Sequence, residues 1–272
     1  MTVDEAAGLF GPGSMAWRVD RELMVLGGGS CALLMQAAHP VVAAGVVEHS
    51  TYATDPVGRL LRTLTSSFDV VFGSRSRAEA AIRRVNAIHG AVRGELPGGG
   101  TYSARDPEAL LWVHATLIDT ALRVYGRFIE PLTPAEEQAY HEEATQVAAM
   151  LGVPDSSMPP TIGELREWMG DLVGTGRVRV TPAAREIART VLYPSRLVPR
   201  RAWDVAHLVS LATLPDELRR QYGVGWSARR DAVHAPLAAL TRRGLPLLPA
   251  PIRFAPAYRS AVRRVGQARS TR

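Results

Sequence analysis

Apolar side chains recur along this chain mostly every three or four residues, which is the spacing of one face of an α-helix. One such series consists of Ile82, Val85, His89, Val92 and Leu96. A longer series consists of Leu110, Val113 or His114, Leu117, Ala121, Val124 and Phe128. The alternation of apolar and polar residues that is typical of strands occurs only in the short stretch "RVRV" at 177–180. The pattern predicts an all-α fold with about ten helices.

Helix start signals support this prediction. In a capping box, a serine or threonine is followed three residues later by glutamate, and this pattern occurs in "SRAE" (76–79), "TPAE" (133–136) and "TIGE" (161–164). Asp106 precedes Pro107, which places an acidic cap directly before a proline at the first helical position. Each signal stands before a stretch with helical periodicity.

The Gly- and Pro-rich stretches 94–107 and 152–161 are predicted to be loops, and 201–214 to be a further helix. Neither loop has the character of a domain linker, because helical stretches with strong apolar faces flank both. We expect a single helical domain over 1–272, in which a Pro-rich strap and a terminal helix occupy 244–272.

The composition, with 46% hydrophobic and 21% charged residues, is that of a globular protein. All 32 basic residues are arginine, which excludes a lysine Schiff base or a lysine general base. The net charge is +6, but acidic residues are interleaved with the arginines and only 6% of the residues are aromatic, so we expect no nucleic-acid partner. The densest basic stretch, "YRSAVRRVGQARSTR", indicates a solvated helix face or tail.

The single cysteine, Cys31, excludes an intramolecular disulfide and a cysteine-rich zinc site. The acidic start "MTVDEAAGLFGPG" lacks the order of a signal peptide, so a cytoplasmic location is expected. Residues 23–47 are long enough to cross a bilayer, but Gln36, His39 and Pro40 make insertion costly. We expect a buried helix pair there, and peripheral membrane contact is the alternative that is not favoured.

Motifs of the common enzyme classes are missing from the sequence. "GGGS" and "GGGT" do not have the form of a phosphate-binding loop, and neither GxSxG nor HExxH occurs. The remaining candidates for chemistry are four histidines in apolar surroundings: His39, His89, His114 and His207. A single histidine of this kind is more often a hydrogen-bonded core residue, but four exceed what a core normally holds without a use.

A haem needs only one helix histidine that faces an apolar slot, whereas a zinc ion needs three or four converging ligands. Nothing in the local spacing indicates a zinc site. His89 and His114 both fit a haem ligand, and Gly90 beside His89 would let a flat macrocycle approach the backbone. From the residues alone the choice between them stays open.

Arg59, Arg62 and Thr63 share one helical turn through their i, i+3, i+4 spacing. Two guanidinium groups and a hydroxyl can therefore point to one place, where they would bind an anion such as a haem carboxylate or polarise dioxygen. The alternative is a solvated arginine face. Glu48 and His49 lie just upstream and are candidates for proton transfer.

The ordered motifs "AAHP", "EHS", "RLLRT", "VNAIHGAVRG", "WVHATLIDTALRVYGRFI" and "PPTIGELREWM" resemble the DUF2236 family, which includes the MpaB and latex-clearing rubber oxygenases. The resemblance covers roughly residues 15–245. It implies a globin-like helical core that holds haem b, and a reaction between dioxygen and an apolar, often isoprenoid, substrate. It also implies that His89 is the axial iron ligand, because His89 follows Arg59 and Thr63 in the order of the family.

The chain departs from the latex-clearing proteins at Arg62, where they have a lysine that can cap the iron. Arginine cannot ligate a metal, so the sixth position is expected to be open, bound to water or filled by another residue. We expect Arg59, Arg62 and Thr63 to line the distal side or to contact haem carboxylates, and Glu48 or His49 to act as a base. His114 is the alternative ligand and His39 a weaker one.

Two other functions fit the same residues. The chain could bind haem without turnover, as a carrier or gas sensor. It could also be a metal-free helical protein that binds a lipid or a partner protein, with the histidines as ordinary core residues.

Overall fold

The computed structural model describes residues 1–194, 198–225 and 228–270. In this part of the chain a 3-10 turn (Leu23–Gly28) precedes α3, and a two-stranded antiparallel sheet, β1 (Arg93–Glu95) and β2 (Thr101–Ser103), lies between α6 and α7. The helices are α1 (Val3–Ala7), α2 (Met15–Asp20), α3 (Gly29–Ala38), α4 (Pro40–His49), α5 (Pro56–Phe72), α6 (Arg75–Ala91), α7 (Pro107–Phe128), α8 (Pro134–Met150), α9 (Ile162–Gly174), α10 (Pro182–Leu192), α11 (Arg200–Ala206), α12 (Leu208–Thr213), α13 (Asp216–Gln221), α14 (Ala228–Gly244), α15 (Ala250–Arg253) and α16 (Pro256–Ser270).

The prediction of an all-α fold is confirmed. One local prediction is wrong. The loop predicted at 94–107 contains the β-hairpin, in which Gly94 pairs with Tyr102. The alternating "RVRV" stretch forms no strand, in keeping with the all-α prediction, and Arg179 N–H donates to the Ala38 carbonyl at 2.9 Å. The helix predicted at 201–214 is present as α11 and α12, which are separated at His207.

The capping signals place most helix starts correctly. Thr133 and Thr161 form complete capping boxes with the glutamates three residues on, and Asp106 caps α7. The "SRAE" box is wrong by two residues, because α6 begins at Arg75 under a Ser74 cap. The Ser76 hydroxyl instead donates to Glu5 in α1 at 2.6 Å, a contact that the local sequence could not show.

Helix α7 lies at the centre of the largest hydrophobic cluster. Fourteen of its 22 residues are buried, and it packs against α3, α8 and α9. The fully buried Trp112 donates its indole N–H to the Met35 carbonyl at 2.8 Å, which ties α7 to α3 without an unsatisfied polar group. Burial of this helix is the main source of hydrophobic stabilisation in the fold.

The glycine triplet before α3 is explained by close packing. A methyl group built at Gly28 would lie 2.7 Å from the Thr120 side chain and 2.8 Å from that of Val124, both on α7. Any larger residue would force the two segments apart. "GGGS" therefore allows helix packing in this fold.

A second cluster joins both ends of the chain. Trp17 and Phe72 pack edge-on against each other and against Tyr258. The Pro-rich segment before α16 is held to the body of the protein by the fully buried Glu22, which accepts two hydrogen bonds from Arg253 at 2.9 and 2.8 Å. This cluster anchors the second half of α5 to α16.

Among the described residues, no single helix is long and apolar enough to cross a membrane. By length and composition, the segments Leu23–Ala38 and Pro40–His49 could cross a membrane only as a pair, and they are bent by 103° relative to each other. Most of α3 is buried, whereas Ala43 is the one fully buried residue of α4. The segment thus forms a bent helix pair, as expected for 23–47, with α4 less covered than α3.

The Thr133 cap offers a test of local stability. Thr133→Ala removes the hydroxyl that accepts from Glu136 N–H at 3.3 Å, and should lower the free energy of unfolding by about 1 kcal/mol. Thr133→Ser keeps this oxygen and should stay close to wild type. Urea denaturation followed by far-UV circular dichroism measures both, and equal losses in the two variants would contradict the role of the cap.

Candidate functional site

The candidate site lies where α5 begins and α6 ends. These helices have 17 residues each, and only Gly73 and Ser74 join them. Such a short connection folds two helices back on each other. Arg59 and Thr63, near the start of α5, therefore lie at the same end of the helix pair as His89, near the end of α6.

The end of α4 and the β-hairpin meet the helix pair at this end. A methyl group at Gly45 of α4 would lie 3.2 Å from the Val92 side chain, just beyond α6. Arg62 of α5 donates to the Thr51 hydroxyl, two residues beyond the end of α4, at 2.9 Å. We call the region formed by the end of α4, the start of α5, the end of α6 and the β-hairpin the open end.

Apolar side chains at the open end are left uncovered. Val57, Leu60 and Leu61 share a face of α5 and are 61%, 46% and 58% exposed, and Ile88 of α6 is 57% exposed. Val47 of α4 is exposed as well. A contiguous apolar patch on a protein surface marks a site for a ligand, a partner or a membrane. The start of α5 is therefore amphipathic without a protein partner for its apolar face.

His89 has no hydrogen-bond partner at this end. Its Nδ1 atom is buried and unsatisfied, and neither ring nitrogen makes a hydrogen bond or ion pair with any residue that the structure describes. Burial lowers the pKa of His89, and the positive charge of Arg105 lowers it further. The imidazole is thus held in its neutral form, which is the form that ligates metals.

The other described histidine rings have partners. His207 is satisfied at both nitrogens, by Ser30 and by the Leu192 carbonyl. His114 and His141 use their Nε2 atoms on the carbonyls of Ala144 and Pro159, both at 2.8 Å.

The weaker candidate His39 is buried where α3 meets α4. Its Nε2 atom lies 3.6 Å from Glu108, and burial lowers its pKa against the opposing effect of that carboxylate. Within the described chain, no three His, Cys, Asp or Glu side chains are grouped as metal ligands.

Two guanidinium groups at the open end are available to a ligand. The side chains of Arg59 and Arg105 form no hydrogen bond or ion pair within the described ranges, and burial lowers the pKa of Arg59. Arg105 lies over the end of α6, since a methyl group at Gly90 would be 2.7 Å from its Nη2 atom. Arg105 also lines a shallow cleft of about 300 Å³ between α4 and β2.

The other two residues of the predicted turn are already engaged. Arg62 is 61% exposed and bonds the N-cap Asp55 of α5 at 3.0 Å, in addition to Thr51. The Thr63 hydroxyl donates to the Arg59 carbonyl at 3.0 Å. The predicted role of Arg62 toward an anion would require it to leave these partners.

Glu48 is held by a tyrosine that the sequence did not single out. Tyr102 donates its hydroxyl to Glu48 Oε2 at 2.5 Å, and burial together with this carboxylate raises the pKa of Tyr102 to about 12. The pair closes over Gly94, where a methyl group would lie 2.6 Å from Glu48 Oε2. His49 lies beside Glu48 and contacts the Arg93 carbonyl at 3.2 Å. Tyr102 thus holds one oxygen of the carboxylate, and the other, Oε1, lies 3.8 Å from His49 Nε2.

Tyr102 and Arg105 are the functional candidates that sequence reasoning missed. Both reach the open end because the β-hairpin reverses the chain and returns it past the end of α6. The Gly triplet between two short polar stretches is the one signal that could have indicated this reversal.

A family model described as "ER-bound oxygenase mpaB/B'/Rubber oxygenase, catalytic domain" matches residues 17–243 of the chain. The chain belongs to this family. The resemblance to the MpaB and rubber oxygenases is confirmed, and the matched residues include the whole open end. Membership supports an oxygenase-like role for the chain.

Two curated relatives are uncharacterized proteins of Mycobacterium bovis and Mycobacterium tuberculosis. Each is 29% identical to the chain over 136 residues, which is 47% of this chain and 52% of the relative. The chain thus spans about half the length of the curated relatives it matches. No solved structure matches the chain.

Acid should destabilise the fold through His114. Burial lowers the pKa of His114 to about 4 from 6.5, with His141 adding to this shift and the Ala144 carbonyl opposing it. The folded state binds fewer protons here than the unfolded state. The stabilisation is therefore complete above about pH 6.5 and is lost as the pH falls toward 4, by at most about 3 kcal/mol.

Urea denaturation between these pH values measures the effect. His114→Gln keeps a donor for the carbonyl but does not titrate, so its free energy of unfolding should fall less steeply with acid than that of the wild type. If the free energy of unfolding fell equally steeply with acid in the two proteins, His114 would not be the source of the pH dependence.

Proposed function

We propose that this protein is a haem b-dependent oxygenase that acts on an apolar small molecule, a class that includes isoprenoids, with dioxygen as co-substrate. The observation that carries the proposal is His89, a neutral helix histidine without a hydrogen-bond partner beside an uncovered apolar face. Family membership supplies the oxygenase class. The cofactor and the substrate class are the proposed part.

The residues at the open end fit a haem. The cofactor needs one axial donor and an apolar slot, and His89 and the face formed by Val57, Leu60 and Leu61 would supply them. Its two carboxylates need cationic partners, for which the free guanidinium groups of Arg59 and Arg105 are suited. When bound, the haem would supply the activation of dioxygen that side chains cannot perform.

The chain's own residues would bind, orient and move protons. Arg59 would hold an anionic group close to the helix pair, and burial strengthens that interaction by excluding water. Arg105 would keep His89 neutral as well as bind an anion. Glu48, held by Tyr102 at Oε2, would accept a proton from substrate at Oε1, the oxygen that faces His49.

Arg62 distinguishes this chain from the latex-clearing pattern. Its contacts with Asp55 and Thr51 direct the guanidinium toward the cap of α5. The side chain cannot ligate iron, and it could turn toward a ligand only by giving up these two contacts. We therefore propose that Arg62 would leave the open end accessible to a small ligand or substrate.

The absorption spectrum tests the cofactor. Protein produced with added iron, or titrated with haemin, should show a Soret band. Loss of a residue that only supports a metal ligand typically weakens binding roughly 10- to 100-fold. Because His89 would itself be the ligand, His89→Ala should weaken haem binding by more than this. His114→Ala is the matched control and should keep the band, because its Nε2 atom serves the Ala144 carbonyl. A colourless wild type that takes up no haemin, or loss of the band in the control alone, would refute the proposal.

Dioxygen consumption tests turnover. The haem-loaded wild type should consume dioxygen when an apolar alkene is added, and Glu48→Gln should slow the reaction by roughly 10²- to 10⁴-fold if Glu48 is the base. Glu95→Gln, the same substitution at an exposed glutamate of β1, should retain most of the activity. A haem-loaded protein that is inactive on a broad panel of apolar alkenes would instead indicate a carrier or sensor.

A further inference from the structure

An exposed apolar segment lies far along the chain from the open end. Residues 246–252, "PLLPAPI", are all exposed, with Leu247 at 84%, Leu248 at 41% and Ile252 at 61%. The segment contains no charged side chain. Leu240, in the last turns of α14, is 69% exposed. Leucine and isoleucine exposed to this degree in one short segment indicate a surface that is covered in use.

The charge around this segment is strongly one-sided. Residues 232–272 contain eight arginines and no acidic residue. Because the whole chain has a net charge of +6, the preceding 231 residues carry −2. Arg242 and Arg243 stand directly before the segment, are exposed, and have no acidic partner within the described residues. The excess positive charge thus lies in the same part of the sequence as these exposed apolar side chains, and two arginines without an acidic partner in the described part of the chain directly precede them.

Two of the eight arginines in residues 232–272, Arg253 and Arg264, have structural roles and hold the segment in place. Arg253 bonds the buried Glu22, and Arg264 donates to the carbonyls of Ala6 at 3.0 Å and Phe72 at 2.6 Å. Directly after Arg253, Phe254 pairs with Glu22 in an isolated bridge. Leu245, before the segment, packs against the main core. The exposed residues are therefore presented from a base that is fixed on both sides.

We propose that residues 240–252 bind the protein to the surface of an anionic lipid bilayer. Leu247, Leu248 and Ile252 would enter the interface between headgroups and acyl chains, while Arg242 and Arg243 contact the anionic headgroups. Apolar insertion combined with flanking cations is the arrangement of proteins that lie on a membrane. The segment is too short to span a bilayer.

A second copy of the chain is a poorer occupant. In a two-fold dimer the same patch lies on both subunits, so Arg242 and Arg243 would face their own copies. With no acidic residue in 232–272 to offset them, like charges would meet. An anionic bilayer complements both the charge and the apolar character of the patch.

Vesicle flotation with the full chain tests the proposal. The protein should float with phosphatidylcholine vesicles that contain about 30% phosphatidylglycerol, and much less with pure phosphatidylcholine. Raising the salt from about 0.05 to 0.5 M should weaken binding, because it screens the arginines. The assay needs no cofactor, so its result is independent of the haem proposal.

Matched variants separate this patch from general properties of the protein. Leu247→Ser/Ile252→Ser should weaken binding by at least roughly tenfold, and Arg242→Gln/Arg243→Gln should weaken it and reduce the salt dependence. Arg84→Gln/Arg127→Gln removes the same charge from exposed positions elsewhere and should bind as wild type. All substituted side chains are exposed, so unchanged circular dichroism should confirm folding.

A site-specific fluorophore gives a direct readout of insertion. The only native cysteine, Cys31, is buried, and burial raises the pKa of its thiol to about 12, so Leu247→Cys can be labelled selectively. A polarity-sensitive dye at position 247 should shift to the blue with anionic vesicles, whereas one placed by Leu117→Cys on α7 should not.

Three results would overturn the proposal. The first is that the protein does not float with anionic vesicles. The second is that the patch variants bind vesicles as well as the control variant does. The third is that light scattering shows a dimer, that Leu247→Ser/Ile252→Ser dissociates this dimer, and that the protein does not bind vesicles. The last result would assign the patch to contact between copies of the chain.

Discussion

The close packing of the segment before α3 onto α7 is the constraint on which the rest of the structure depends. Gly28 lets the backbone before α3 approach the Thr120 and Val124 side chains of α7. Trp112 of α7 also donates a hydrogen bond to the Met35 carbonyl in α3. With α3 fixed, the 103° bend before α4 determines where α4 ends. The open end is therefore positioned by contacts in the core, and three of its side chains, His89, Arg59 and Arg105, are left without hydrogen-bond partners among the described residues.

Helix α5 shows how one element can serve both stability and binding. Its second half is held by Phe72, which packs against Trp17 and Tyr258. Its first half leaves Val57 and Leu61 61% and 58% exposed, so that each forgoes roughly 1–2 kcal/mol of burial. Because the second half already anchors the helix, the fold tolerates this loss. A ligand that covers the face would regain part of it, which favours an apolar cofactor or substrate over a small polar one.

Local signals predicted the helices well, and contacts distant in sequence account for the errors. The Thr133 and Thr161 boxes depend on residues three positions apart. At "SRAE" Ser74 takes the cap instead, and Ser76 binds Glu5, 71 residues away. For the site, one-turn spacing placed Arg59 and Thr63, and family order indicated His89. Arg105 could not be found this way, since its position over Gly90 depends on the register of a hairpin that periodicity does not reveal.

Hydrogen bonding separates His89 from His114, His141 and His207, and His39 differs from it by the contact of Nε2 with the Glu108 carboxylate at 3.6 Å. A buried imidazole nitrogen without a partner costs free energy, and His114 and His207 avoid part or all of that cost through backbone carbonyls. His141, on α8, also leaves Nδ1 unsatisfied, but its Nε2 atom is hydrogen-bonded to the Pro159 carbonyl. At His89 neither nitrogen is used, and the side chain stands beside free guanidinium groups and uncovered apolar residues. A core histidine would gain nothing from such surroundings, whereas a ligand to an apolar, anionic cofactor would gain from each of them.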